Sequence, residues 1–122
     1  MISYVTVGTN DLPRATAFFD ALLGEMGAGR FMEMDRMVIY GKNPGEPMLS
    51  VCRPYDGKAA SAGNGSMIAL NAGSREMADK LHARALALGG KDEGAPGPRG
   101  DTIYGGYFRD LDGNKFFACV MG

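Results

Sequence analysis

The sequence predicts an α+β fold made of two βαβββ modules paired in one domain. Two observations carry this prediction. The order strand, amphipathic helix, three short strands occurs twice in 122 residues. The two occurrences also superimpose at a constant offset of 63: Tyr4 falls on Met67, Thr6 on Ala69, Asp11 on Ser74, Ala15 on Ala78 and Phe18 on Leu81. A repeat of this kind constrains the whole architecture. One βαβββ unit leaves an apolar sheet face open, so two units must pair to close a core.

The elements follow in order. Residues 2–8 (ISYVTVG) alternate and are β-branched, as a strand requires. Asn10-Asp11 offers a helix N-cap, with Pro13 in the first turn. Ala15, Phe18, Phe19, Leu22 and Leu23 recur at helical spacing, and Gly24 stops the run. Three strands are expected at about 28–34, 36–42 and 48–53, with a turn at Gly41-Lys42-Asn43-Pro44-Gly45. The first module thus spans about 1–53, a linker of small and turn-forming residues covers 54–65, and the second module covers about 66–122. In the second module SMIALN (66–71) is a strand and Ser74 an N-cap. Met77, Ala78, Leu81, Ala85 and Leu88 form a helical stripe that Gly89-Gly90 ends. A short strand near 91–93, a Pro/Gly loop (GAPGPRG, 94–100) and a hairpin of 103–109 with 115–120 complete it.

Composition narrows the function. Apolar residues make up 45% and charged residues 22%, as in a globular protein that closes its core without disulfides or metal staples. A net charge of −1 leaves no basic stripe for nucleic acid and no polybasic membrane-targeting segment. No apolar run reaches the ~20 residues of a membrane span. MISYVTVG lacks a basic leader region, so no signal peptide is expected. Two cysteines are too few for a secreted disulfide scaffold, which points to the cytoplasm.

The period of two assigns strand faces. Val5 and Val7, Ile68 and Leu70, and Phe116, Ala118 and Val120 should meet the helices. Tyr4, Thr6 and Gly8, Met67, Ala69 and Asn71, and Lys115, Phe117 and Cys119 point the other way. The helix-free faces therefore mix aromatic, sulfur and polar groups.

The opening MISYVTVGTNDLPRATAFFDALLG, the linker from PYDG to GNGSM and the hairpin YFRDLDGNKFF together resemble the vicinal oxygen chelate superfamily. That superfamily includes glyoxalase I, extradiol dioxygenases and the bleomycin- and fosfomycin-resistance proteins. The resemblance covers essentially the whole chain. It implies a curved mixed sheet around a concave cleft, usually in a homodimer. Members with a metal place a His in the first strand, a His opening the fifth and a Glu in the last, often with a further ligand from the fourth. The matching positions here are Tyr4, Met67 and Phe117, with Leu49 to Cys52 in the fourth strand. Divalent first-row metals favour imidazole, carboxylate or thiolate. This departure implies no metal and no cofactor.

The only histidine, His82, is read as a surface residue of the second helix paired with Asp79, rather than as a general base. Tyr4 is a candidate hydrogen-bond donor in the cleft. Met67 and Phe117 either floor the ligand or fill the metal space. Tyr107 shares the face of Phe117 if the last hairpin is regular, and a bulge at Gly105-Gly106 would substitute Tyr104. Arg53 and Lys115 are candidates for an anionic ligand group. Cys52 and Cys119 read as small buried hydrophobes. Asp110-Leu111-Asp112-Gly113-Asn114 reads as a hairpin turn, since no Glu closes a calcium loop. Gly41-Lys42 lacks the rest of a phosphate-binding loop.

The leading expectation is metal-free binding of a small organic molecule, as the resemblance to the bleomycin-resistance branch implies. One alternative is a lyase, isomerase or dioxygenase with relocated ligands, or with acid–base work by Tyr4 or Tyr107. Another is a structural or partner-binding module.

Overall fold

The computed structural model describes residues 1–122. The first module comprises β1 (Tyr4–Gly8), α1 (Leu12–Gly24), β2 (Gly29–Glu33), β3 (Met37–Gly41) and β4 (Met48–Cys52). The second comprises β5 (Ile68–Asn71), α2 (Arg75–Ala87), β6 (Lys91–Arg99), β7 (Ile103–Arg109) and β8 (Lys115–Met121). The predicted paired βαβββ architecture is the observed one. The helix repeat is exact in number: Leu12 and Arg75 open the helices 63 apart, and Gly24 and Ala87 close them 63 apart. Both are capped alike. Asp11 accepts the Arg14 N–H at 3.1 Å, and Ser74 accepts the Met77 N–H at 3.1 Å. No helix is long and apolar enough to cross a membrane.

The strands form two four-stranded sheets, ordered β1-β4-β3-β2 and β5-β8-β7-β6. In each, the first strand pairs parallel to the last and the remaining pairs are antiparallel. The helix provides the crossover that a parallel pair needs. β1 and β5 are both outer strands.

One core spans the two modules. Phe18, Phe19, Leu22 and Leu23 of α1 join Val38, Tyr40, Leu49 and Val51 beneath them, and Leu81, Ala85, Phe108, Phe116 and Ala118 of the second module. Phe19 is the link: its ring lies 6.2 Å from that of Tyr40 and 5.6 Å from that of Phe116. Each sheet thus covers its helix-side face with its own helix, and the two helices meet between the modules.

Two readings of the sequence are corrected. Residues 94–99 are not a loop: they continue β6, which pairs with β7 through register shifts at Asp92/Gly94 and Gly94/Gly97, and only Gly100 lies in the turn that follows. Pro96 and Pro98 are tolerated because β6 is an edge with one unpartnered side, and the bulges absorb the irregularity. His82 is not at the surface. It is buried, and its Nε2 lies 3.0 Å from Asp92 Oδ1 and 3.2 Å from the Tyr107 carbonyl. Both partners are acceptors, so Nε2 carries the hydrogen. The stripe Ala78, Leu81, His82, Ala85 faces the sheet, so His82 meets a strand carboxylate rather than its helix neighbour Asp79.

The Asp92 carboxyl is held below its ordinary range, first by the Gly94 N–H and then by His82. A depressed carboxylate stabilises the fold above its unfolded pKa of ~3.9 and loses that contribution as pH falls through the lower folded value. Urea midpoints of the native chain and of Asp92→Asn are expected to differ at neutral pH and to converge on acidification below about pH 4. A constant difference across that range would contradict this coupling.

Candidate functional site

The strand ladders define the helix-free faces. In the first sheet Tyr4 pairs with Met48, Thr6 with Ser50 and Gly8 with Cys52. The fourth strand therefore contributes Met48, Ser50 and Cys52 to this face. Ser50 is fully buried, and its hydroxyl has no hydrogen-bond partner. In the second sheet Ala69, Phe117 and Tyr107 form one row across β5, β8 and β7.

A cavity of about 220 Å³ opens where the two modules meet. Val5 to Gly8 of β1 form one side, and Met67 with Ile68 the other. Ser61, Ala62, Gly63 and Ser66 of the linker and Asn114 with Lys115 of the last hairpin complete it. Thr6, Ser61 and Ser66 bring hydroxyls, Asn114 an amide and Lys115 an ammonium group. The last hairpin is tied to the first module here: the Asn10 N–H and Arg14 Nη2 donate to Asp112 Oδ1 at 3.1 and 3.3 Å. Asn114 Nδ2 donates to the Gly8 carbonyl at 3.0 Å and to Asp110 Oδ2 at 2.8 Å. Asp110 in turn accepts the backbone N–H groups of Asp112 and Asn114 on Oδ1. Burial pushes the Asp110 carboxyl above its ordinary range, and these donors oppose the shift.

The predicted site residues fall in five places. Met67 and Lys115 line the cavity. Tyr4 is half-exposed on the same helix-free face as Thr6, outside the cavity wall. Phe117 is nearly buried and stacks on Tyr107, with centroids 4.2 Å apart and planes at 16°. Arg99 and Lys115 hold their charges 5.3 and 5.1 Å from the Tyr107 ring centre, a cation–π arrangement. Tyr104 lies on the opposite face, because β7 pairs with β8 without a register shift through Gly105-Gly106. Its hydroxyl donates to Asp79 at 2.6 Å on α2. Arg53 lines a separate cavity with Arg36 and Tyr55.

Sequence reasoning did not name Thr6, Ser66 or Asn114 as site residues. Alternation had placed Thr6 on the correct face, but no pattern marked the linker serine or the bridging asparagine. Arg99 was hidden in a stretch that read as a loop.

The donor set does not fit a divalent first-row metal. The positions that the resemblance matches to metal ligands offer a phenol (Tyr4), a thioether (Met67) and a phenyl ring (Phe117). The fourth strand offers only Met48, Ser50 and Cys52. First-row divalent ions want imidazole, carboxylate or thiolate donors in numbers. No group of three or more His, Cys, Asp or Glu side chains comes together anywhere in the chain. Burial also pushes the Cys119 thiol up, which disfavours the thiolate.

The family model for the Glyoxalase/Bleomycin resistance protein/Dioxygenase superfamily matches residues 1–116. A glyoxalase/bleomycin resistance protein from Albidiferax ferrireducens T118 is 38% identical, with a TM-score of 0.92 over 100% of this chain and 99% of that one. A glyoxalase-related enzyme from Fulvimarina pelagi shares the fold at 19% identity and a TM-score of 0.78, covering 98% of this chain and 87% of that one. A bleomycin resistance determinant encoded on the transposon Tn5 shares it at 14% identity and a TM-score of 0.68, covering 99% and 98%. No curated protein sequence matches the chain.

Proposed function

The chain belongs to the Glyoxalase/Bleomycin resistance protein/Dioxygenase superfamily, and from that premise we propose that it binds a small organic molecule between its modules without a metal ion. One observation carries this reading. The positions where metal-bearing relatives keep ligands hold Tyr4, Met67 and Phe117, while a cavity remains open beside Met67. Apolar walls with a few convergent polar groups are the usual composition of a ligand pocket. Here Val5, Val7, Met67 and Ile68 supply the walls, and Thr6, Ser66, Asn114 and Lys115 the polar groups. The cavity is below the ~300 Å³ that opens the usual range for ligand pockets, which suits a compact ligand.

The same reading includes a homodimer in the cytoplasm. Tyr4, Met67, Phe31 and Met121 are large apolar side chains left exposed, and a second copy would cover them. Both cysteines are free thiols, as a reducing compartment requires.

A thermal-shift screen of small aromatics, thiol adducts and antibiotics tests the proposal. A ligand at 100 times its Kd adds ~2.7 kcal/mol of stability, which such a screen detects readily. Met67→Ala and Thr6→Val are expected to weaken the shift given by any hit. A shift unchanged in both variants would refute the cavity as the binding site. Stoichiometric Zn, Ni, Mn or Fe in the purified protein would refute the metal-free reading.

A further inference from the structure

A second cavity, of about 360 Å³, lies beyond the ends of β1 and β4. Arg36, Arg53 and Lys58 line it, with Tyr55, Asn10 and the buried Thr9. Asn10 also grips the linker. Its Oδ1 accepts the Ala60 N–H at 2.6 Å and its Nδ2 donates to the Ala60 carbonyl at 3.4 Å. That strap holds the linker across the end of the sheet.

Three cations therefore share one cavity, and none of them makes an ion pair, unlike Arg14, Arg30, Lys80, Arg84 and Arg109. The two arginines are held by backbone carbonyls instead. Arg36 Nη1 donates to the Arg53 carbonyl at 2.8 Å, and Arg53 Nη2 donates to the Asp35 carbonyl at 3.0 Å. The Arg36 guanidinium also rests 5.3 Å from the centre of the Tyr55 ring. These contacts fix both guanidinium groups without neutralising them. Each retains N–H donors with no protein acceptor. No carboxylate lines the cavity. Asp56, on the same loop, turns its Oδ1 back onto the Lys58 N–H.

We propose that this cavity, with Arg36, Arg53 and Lys58 around it, is a binding site for a phosphate-type dianion, separate from the junction cavity. Two fixed guanidinium charges with a third from Lys58 exceed what a monoanionic carboxylate neutralises, and planar guanidinium forks match a tetrahedral oxyanion's paired oxygens. Free orthophosphate and the phosphate of a phosphorylated small molecule present this same chemistry.

The test is a titration of ¹⁵N-labelled protein with orthophosphate at about pH 8, where the dianion dominates, at constant ionic strength. Sodium chloride and acetate serve as parallel titrants. A phosphorylated small molecule, glycerol phosphate, is the second dianion arm. Saturable shifts are expected for amides of residues 9–10, 53 and 55–59 with either dianion. Tighter saturation by glycerol phosphate than by orthophosphate would identify the phosphoryl ester as the preferred source, and the reverse order the free ion. Arg53→Gln and Lys58→Gln should each weaken the binding about tenfold, as the loss of one charge-assisted contact does. Lys42→Gln, an exposed cation elsewhere, should leave it unchanged. All three side chains are exposed, and a matching amide spectrum confirms that each variant folds. Shifts no larger than those from chloride, equal saturation by acetate, or full binding in both Arg53→Gln and Lys58→Gln would overturn the proposal.

Discussion

Phe116→Ala is expected to destabilise the chain by ~3–5 kcal/mol, as removal of a fully buried ring does. Phe116 is fully buried on β8. Its ring stacks on Phe108 at 5.5 Å within its own sheet and meets Phe19 at 5.6 Å across the module junction. Alanine would leave a void bounded on one side by a helix of one module and on the other by a sheet of the second. Neither can collapse into it without moving the whole element. The loss is large against the ~5–15 kcal/mol that such chains possess in total. A fall in Tm of about 10–20 °C should accompany it. Phe117, the next residue, gives the contrast. It packs on Tyr107 on the helix-free face, where a neighbouring ring can relax toward solvent, so Phe117→Ala should cost less. Urea denaturation checks both. A Phe116→Ala loss below ~1 kcal/mol, or below that of Phe117→Ala, would mean that the junction is not the packed core described. The unfolding of the native chain should also be a single transition, since one cluster spans both modules.

Local signals account for what the sequence disclosed. The N-caps Asp11 and Ser74, the apolar helix stripes and the alternation in β1, β5 and β8 are each encoded within a few residues, and the structure reproduces them. The sheet faces followed from the same alternation, which is why Tyr4, Thr6 and Phe117 were placed on the correct side. The register of β4 was not legible. A parallel pair joined through a helix has no hairpin turn to fix it, and only the ladder shows that Ser50 stands beside Thr6. Only the start of β6 was read as strand, because Pro and Gly mark loops by composition, whereas an edge strand tolerates both. His82 was misplaced because its partner, Asp92, reaches it only after the chain turns from α2 into β6. The cavity depended on linker residues and on Asn114, which spans 106 positions to reach Gly8. Irregular chain has no period to read, so these contacts were invisible.

Gly105→Ala is the second substitution with a large expected effect, and it connects the fold to the site. Gly105 sits in β7 opposite Cys119. A Cβ added there would collide with the Ala118 carbonyl oxygen and lie only 2.8 Å from both Cys119 Cβ and Phe117 Cε1. Real Cβ atoms essentially never come that close. The Phe117 ring can rotate away, but the carbonyl belongs to the β7–β8 ladder and cannot. Relief therefore requires the two strands to part or the ladder to twist. Overpacking of this kind costs ~1–3 kcal/mol, and more where backbone must shift. The upper end is expected here. The displacement has a local reporter. Phe117 is stacked on Tyr107 at 4.2 Å, so the aromatic resonances of that pair should shift while those of Phe19 and Tyr40 in the first module remain close to native. If Gly105→Ala is as stable as the native chain and leaves the Tyr107–Phe117 resonances in place, the close strand pairing is wrong. With it would go the explanation for two adjacent glycines: Gly105 clears the helix-free face for Phe117, and Gly106 clears the other for His82 and Pro96.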